Sequence, residues 1–235
     1  MAGVTPSLIL ALDVPTPSEA LTLVERFAGR CTFYKVGLEL FTAAGPALVA
    51  QLRERNVDVF LDLKLHDIPN TVRQAARRAA ALDVRLLTVH ASGGEAMLAA
   101  AVDGAGESCG ILGVTVLTSL AADELAAAWG RGPWIDIRSE VLRLAGLAES
   151  AGAHGIVCSG TELPAVVERF GSRLAALIPG VRPAGAPSHD QARTVTPEMA
   201  AAEGARYLVL GRAVTAAADP LQAWDAIAAA VAAAD

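Results

Sequence analysis

The stretch FLDLKLHDIPNTV, residues 60–72, places charged side chains inside an apolar run. Asp62 and Lys64 alternate with leucines, and Asp67 follows three residues after the lysine. Ionised groups in a buried strand cost free energy unless opposite charges compensate one another. Because a carboxylate beside a lysine favours the ammonium form, this arrangement suits a lysine that donates a proton better than a free-amine nucleophile.

Two other apolar runs carry charges in the same way. Successive strand side chains point to opposite faces, so Asp62 and Lys64 share a face with Phe60, while the leucines occupy the other face. By the same alternation, Lys35 in TFYKVGL and Asp13 in LILALDV each lie on a single face of their strand. If these strands are parallel neighbours, the four charged side chains converge at one mouth of the sheet.

Each of these residues also has a purely structural explanation. An alternating set of carboxylates and ammonium groups could be an ion-pair network that closes the end of a sheet. The segment HDIPNTV is typical of a helix start, with Asp67 near the N-cap and Pro69 in the first turn.

A second group of residues is typical of an anion site. Two runs, IPGVRP and VLGRAV, each end an apolar segment with a glycine and an arginine: Gly180 with Arg182, and Gly211 with Arg212. Glycine lets backbone N–H groups approach an anion, and arginine can bind phosphate with two hydrogen bonds. Solvated loop charges are the alternative explanation for the arginines.

The elements that must position these residues follow a regular β–α rhythm. Apolar runs predict strands at 8–14, 32–38, 57–64, 85–91, 110–117, 155–159, 174–181 and 206–211. Amphipathic runs predict helices at 17–28, 44–55, 69–82, 94–104, 138–151, 161–170, 196–203 and 219–233. Eight β–α units in 235 residues predict an α/β fold, a closed (β/α)8 TIM barrel that forms a single domain over 1–235.

In this fold, active sites lie at the C-terminal ends of the strands, and the loops after strands seven and eight frequently bind phosphate. An open doubly wound sheet is the alternative, but no GxGxxG sequence opens an early helix. The segment 182–196 is the longest irregular stretch, and loops of this length are often lids or binding loops.

Composition excludes several classes of protein. Hydrophobic residues make up 53% of the chain, which permits a large core, and the formal net charge of −6 argues against nucleic-acid and membrane-surface binding. Three widely spaced cysteines without a CxxC pair argue against a disulfide framework or a zinc site. The four histidines have no metal-ligand spacing. We therefore expect a cytoplasmic protein without a zinc site.

The motifs together resemble the orotidine 5′-phosphate decarboxylase family, in its bacterial form. The segment DLKLHDIPNTV carries the family signature D-x-K-x-x-D-I-P-N-T. The resemblance continues along the whole chain through ALDVPT, FYKVGLELF, TVHASGG, VTVLTSL, GIVCSGTE, PGVRPAG, DQARTVTPEMA and LVLGRAVTAAADP. It implies decarboxylation of orotidine 5′-monophosphate to UMP, the last step of pyrimidine nucleotide synthesis, without metal or cofactor.

The resemblance also assigns roles to individual residues. The charged catalytic array of the family corresponds to Lys35, Asp62, Lys64 and Asp67, with Lys64 stabilising and protonating the carbanion at C6. Asp67 and Thr71 are implied to reach the active site of a neighbouring subunit, which makes the protein a homodimer.

The remaining implied roles concern substrate binding. Asp13 and Lys35 are implied to hold the ribose hydroxyls, and Thr118 to contact the pyrimidine edge. The 5′-phosphate is implied to bind Arg182, Gln191, Gly211 and Arg212.

Three other functions stay open at this point. One is a Mg²⁺-dependent sugar-phosphate decarboxylase or aldolase of the same barrel superfamily, which shares a D-x-K-x-x-D strand. Another is a non-catalytic module that binds nucleotide phosphates. The third is an enzyme that forms a Schiff base on a lysine.

Overall fold

The protein is a closed barrel of eight parallel strands surrounded by helices. The computed structural model describes residues 5–132, 135–183 and 195–234. Each strand pairs with the next along the chain, and β1 pairs with β8 to close the barrel. The predicted TIM barrel is therefore confirmed, and the open doubly wound sheet is wrong.

The strand predicted at 57–64 has the predicted length of eight residues. The other strands are shorter than predicted, mainly at their C-terminal ends. The strands are β1 (Ser7–Ala11), β2 (Phe33–Gly37), β3 (Asp58–Leu65), β4 (Leu86–His90), β5 (Gly110–Val114), β6 (Gly155–Val157), β7 (Ala175–Ile178) and β8 (Tyr207–Leu210). The apolar runs continue past the paired segments because the residues that follow form the mouth of the barrel. Leu12 and Thr115, for example, still donate backbone hydrogen bonds to the neighbouring strands.

All eight predicted helices are present, and each bound lies within two residues of the predicted one. In the described ranges the helices are α1 (Pro17–Arg26), α2 (Leu38–Ala44), α3 (Pro46–Glu54), α4 (Pro69–Ala80), α5 (Glu95–Ala105), α6 (Ala122–Ala128), α7 (Ile137–Ser150), α8 (Leu163–Phe170), α9 (Pro197–Ala202), α10 (Arg212–Thr215) and α11 (Pro220–Ala233). The short helices α2, α6 and α10 were not predicted, because a segment of four to seven residues is too short to show helical periodicity in its sequence.

Proline starts many of the helices. The helices α1, α3, α4, α9 and α11 all begin at a proline, whose fixed φ suits the first helical position and whose missing N–H has no partner there. At α1 and α9, the hydroxyls of Thr16 and Thr196 accept a hydrogen bond from a backbone N–H of the first turn. These local signals explain why the helix starts could be predicted within two residues.

Two apolar layers hold the barrel together. Inside the barrel, a small cluster centred on Ile9, Phe33, Phe60 and Tyr207 fills the space between the strands. Outside it, a much larger cluster packs the other face of each strand against the helices. Phe60 belongs to the inner cluster and Leu61 to the outer one, as the alternation of side chains predicted.

The three cysteines, Cys31, Cys109 and Cys158, are buried thiols, which agrees with the prediction that they do not form a disulfide framework. Among the described helices, none combines the length and the apolar character needed to cross a lipid bilayer.

Helices α4 and α5 pack closely at a glycine. A Cβ atom on Gly104 would lie 2.2 Å from the backbone oxygen of Arg73, which no side-chain rotation can relieve. Gly146 in α7 is a contrasting case, because a Cβ atom there would meet no heavy atom within 4 Å.

We therefore predict opposite effects of alanine at these two glycines. Gly104→Ala should lower the free energy of unfolding by about 1–3 kcal/mol, because the helices must separate. Gly146→Ala should raise it by about 0.5–1 kcal/mol, because alanine costs less backbone entropy in a helix. Urea denaturation followed by circular dichroism measures both, and equal effects of the two variants would contradict the close approach of α4 and α5.

Candidate active site

A cavity of about 240 Å³ opens at the C-terminal ends of the strands. Most of the predicted site residues line it: Asp13, Lys35, Asp62, Lys64, Thr118, Arg182, Gly211 and Arg212. They follow or end strands β1, β2, β3, β5, β7 and β8, so residues far apart in the chain meet at one mouth. The cavity lies where the barrel fold predicted an active site.

The charged side chains form a continuous chain of ion pairs. The Lys64 Nζ donates to Asp62 Oδ1 at 2.7 Å, and the Lys35 Nζ donates to Asp13 Oδ1 at 2.9 Å. Lys35 also lies 3.6 Å from the second oxygen of Asp62. Asp62 thus stands between two ammonium groups, and signs alternate along the row as the sequence pattern predicted.

Burial decreases along this row from the centre to the rim. The side chains of Lys35 and Asp62 are 11% and 15% exposed, whereas Lys64 is 30% and Asp13 is 60% exposed. Burial by itself raises the pKa of the Asp62 carboxyl. The charges of Lys35 and Lys64, with hydrogen bonds from Lys64 and Thr88, outweigh burial and hold that pKa below its usual value. Asp62 is therefore an anion at neutral pH.

Lys35 and Lys64 are the only lysines in this sequence. Of the 19 basic residues, Lys35 and Lys64 are the two lysines, and both line the cavity, while every other basic residue is an arginine. Lysine presents a compact charge with donors that can transfer a proton, whereas the arginine guanidinium stays charged. The rarity of lysine in the sequence could therefore have identified these two residues independently of the strand pattern.

Arginines line the part of the cavity at the ends of β7 and β8. Arg182 follows β7 and Arg212 follows β8, and in an eight-stranded barrel β7 lies across from β3. Arg182 is only 7% exposed, and burial together with the nearby charge of Arg212 lowers its pKa. Its Nη1 donates to the carbonyl of Val181, but its buried Nε has no hydrogen-bond partner among the described residues. A buried guanidinium donor of this kind is suited to an anionic ligand.

An apolar wall joins the two polar sides. It was not predicted, and it consists of Phe60, Val114, Val116, Leu117, Val157, Leu177 and Val209. Two carboxylates and two ammonium groups cancel on one side, so the two guanidinium groups leave two net positive charges among the described lining residues. The cavity therefore suits a ligand with a flat apolar part and more than one negative charge.

Two predicted site residues do not line the cavity of this chain. Asp67 and Thr71 are both exposed, and neither belongs to the cavity wall. Asp67 lies one residue before Ile68, the N-cap of α4, and its Oδ1 accepts a hydrogen bond from the Ile68 N–H at 2.6 Å. The helix start was predicted correctly. Gln191, another predicted site residue, lies outside the described residues, as does most of the segment 182–196.

Two histidines flank the lysine side of the cavity. His66 is exposed and His90 is partly buried, and their ring centroids are 5.5 Å apart. Burial, followed by the charges of His66 and Lys64, lowers the pKa of His90, so His90 is neutral near pH 7. Within the described part of the chain, no group of three or more His, Cys, Asp or Glu side chains is arranged to hold a metal ion.

Comparisons with known proteins agree with the geometry. A family model described as "Orotidine 5′-phosphate decarboxylase / HUMPS family" matches residues 6–227. A protein named orotidine 5′-phosphate decarboxylase from Halorhodospira halophila is 50% identical over 232 residues, which cover 97% of each chain. One of the same name from Anaeromyxobacter sp. strain K is 52% identical over 219 residues, covering 93% of this chain and 95% of the relative.

A solved structure is similar over nearly the whole chain. The crystal structure of orotidine 5′-phosphate decarboxylase from Lactobacillus acidophilus superposes with a TM-score of 0.84 at 36% identity, covering 96% of this chain and 99% of the other. The family model matches most of the chain, and a relative is 50% identical to it. These findings show that this chain belongs to the orotidine 5′-phosphate decarboxylase / HUMPS family.

Proposed function

We propose that this protein is a carboxy-lyase that converts orotidine 5′-monophosphate to UMP and CO2 in pyrimidine biosynthesis. The observation that carries the proposal is the position of the Lys64 ammonium, which is bonded to Asp62 at 2.7 Å in the same cavity as Arg182 and Arg212. Family membership and the names of the relatives support the same reaction.

The substrate matches the three parts of the cavity. Its phosphate dianion pairs with the guanidinium groups of Arg182 and Arg212, and its pyrimidine ring packs on the apolar wall. We assign contact with a polar edge of the ring to Thr118, and binding of the ribose hydroxyls to the Asp13–Lys35 pair; that all three residues line the cavity supports both assignments. Gly180, with φ of 70°, turns the chain at the end of β7 toward Arg182.

The chemistry requires stabilisation of a localised negative charge. When the bond between C6 and the carboxylate breaks, CO2 leaves and the electron pair stays on C6, in an orbital that the ring cannot delocalise. A fixed ammonium next to C6 stabilises that charge without reorganising at the moment of reaction. Lys64 then donates one of its N–H protons to C6, which forms UMP, and the neutral amine regains a proton from water.

Phosphate binding contributes to catalysis at a distance. The arginines bind a group that does not react, and this binding free energy fixes the ring against Lys64. The position of β7 across the barrel from β3 sets the length of ligand that can contact both Arg182 and Lys64.

A homodimer completes this proposal. Asp67 and Thr71 are exposed at the mouth end of the barrel rather than in the cavity, which leaves them available to a neighbouring subunit. Nearby, Leu38 and Ile68 follow adjacent strands and are large hydrophobic side chains with 55% and 67% exposure. Apolar groups of this size next to the charged residues support an interface at this end. We propose that the dimer works in the cytoplasm, where its buried thiols stay reduced.

The strongest rival is a Mg²⁺-dependent sugar-phosphate enzyme of the same barrel superfamily. The names of the relatives favour the decarboxylase. Purified protein with EDTA should convert orotidine 5′-monophosphate, and ultraviolet absorbance follows the reaction. No conversion of the nucleotide, together with Mg²⁺-dependent activity on a sugar phosphate, would favour the rival.

The first prediction concerns Lys64. Lys64→Ala should lower kcat by more than about 1,000-fold, because both the charge at C6 and the proton donor are lost. The measurement is the absorbance assay, with circular dichroism to verify folding. Arg30→Ala is the control, because it removes an exposed cation that pairs with Asp225 far along the chain. Substantial activity in Lys64→Ala would exclude Lys64 as the proton donor.

The second prediction concerns Arg212. Arg212→Ala should reduce kcat/KM for the nucleotide by about 100-fold or more, because a charge-assisted contact to the dianion is lost. Orotidine without its phosphate should be turned over equally by variant and wild type. Arg206→Ala is a matched control, because Arg206 precedes β8 at the opposite end of the barrel. Equal losses with both substrates would contradict the phosphate assignment.

The third prediction concerns the shared site. Asp67→Ala and Lys64→Ala subunits should each be nearly inactive alone, and a mixture allowed to exchange subunits should recover about a quarter of wild-type activity. Recovery is expected because half of the dimers are mixed and each has one complete site. Light scattering verifies that dimers form. Mixed dimers without recovered activity would show that Asp67 does not act across subunits.

A further inference from the structure

The pairing between β3 and β4 is irregular at the charged residues. Leu61 pairs with Leu87, but Leu65 pairs with Val89, so four steps along β3 correspond to only two along β4. Asp62, Leu63 and Lys64 therefore lie opposite a single residue, Thr88. Bulges of this kind change the direction in which side chains point and often occur next to active sites.

Lys64 has an unusual backbone conformation within this bulge. Its φ is 50°, in the left-handed region that residues with a side chain seldom occupy. Such a conformation persists only when surrounding contacts hold it. The left-handed turn brings the Lys64 side chain back to Asp62, so the two side chains meet at 2.7 Å.

Thr88 makes the contacts that hold this arrangement. Its side chain is fully buried, and its Oγ1 accepts a hydrogen bond from the Lys64 backbone N–H at 2.9 Å. The same hydroxyl donates to Asp62 Oδ1 at 3.0 Å. Because the N–H can only donate, the hydroxyl hydrogen is directed to the carboxylate.

These bonds form a closed ring. It runs from the Lys64 N–H to Thr88, from Thr88 to Asp62, and from Asp62 back to the Nζ of the same lysine. The backbone and the ammonium of Lys64 are thus fixed by one carboxylate oxygen and one hydroxyl. Thr88 was not among the residues predicted from the sequence, and it does not line the cavity.

We propose that Thr88 is a positioning residue for the reaction, and that its hydroxyl holds the left-handed backbone of Lys64 and the carboxylate of Asp62 in the geometry for proton donation. The inference rests on the proposed function, because turnover is one of its readouts. A purely structural threonine would affect stability without affecting the position of the ammonium group.

The test compares variants that change only the hydroxyl. Thr88→Val replaces it with a methyl group of similar size, and Thr88→Ser keeps it. Thr88→Val should lower kcat by about 10- to 100-fold with little change in KM, because a displaced reacting group slows the chemical step. Thr88→Ser should retain most of the wild-type activity. Thr115→Val is the matched control, because Thr115 is also buried and its hydroxyl donates to the Val157 carbonyl at 2.7 Å, away from the charged row.

A spectroscopic readout makes the test independent of turnover. With two lysines in the chain, ¹⁵N-lysine labelling gives two side-chain ammonium signals to follow by NMR. Thr88→Val should shift the Lys64 signal, whereas Thr115→Val should leave both signals in place. The Asp62 carboxyl is faced by Lys35, Lys64, Thr88 and His90, and removing the Thr88 donor should raise its pKa, as ¹³C NMR of labelled aspartate measures.

The outcomes separate the two proposals. Wild-type protein without decarboxylase activity, but with a Lys64 signal that moves in Thr88→Val, would overturn the proposed reaction and keep the positioning role. An active Thr88→Val with unchanged signals would overturn the positioning role alone. Thr88→Ala and Thr88→Ser form a second pair should valine prevent folding. If neither hydroxyl-free variant folds while the serine variant does, the role of Thr88 is structural and the inference is wrong.

Discussion

The site depends on the Asp62 carboxylate, which is bonded to Lys64, lies 3.6 Å from Lys35, and accepts a hydrogen bond from Thr88. Removing two ammonium groups from water is unfavourable, and a buried anion between them offsets much of that cost. The same anion fixes where each ammonium points. Asp62 thus determines both the electrostatic balance of the cavity and the direction of its proposed proton donor.

The barrel brings the charged side chains together at one end of the molecule. Parallel strands end at a common edge, so charged side chains from β1, β2 and β3 and the arginines after β7 and β8 reach the same mouth. Below them, the inner apolar cluster closes the barrel and forms a rigid floor. Because the mouth is wide enough to separate a binding region from a reacting region, one ligand can contact both.

Local signals in the sequence were strong where short-range physics decides the structure. Strand alternation placed Lys35 and Asp62 on the inner face correctly, and the prolines placed the helix starts. Lys64 is different, because alternation predicted its face but not its left-handed backbone. That conformation comes from a shift in pairing between two strands and from a hydroxyl 24 residues away, and no local pattern contains either.

By itself, the sequence determined the α/β rhythm, the barrel and the types of residue at its mouth, because periodicity, proline and glycine act over a few neighbouring residues. The family motifs added the expected chemistry. Only the tertiary structure decided which carboxylate meets which lysine, that Arg182 is buried with an unpaired Nε among the described residues, and that Thr88 holds Lys64. It also placed Asp67 and Thr71 outside the cavity of their own chain. These features depend on strand register and barrel closure, which arise from the packing of the whole chain.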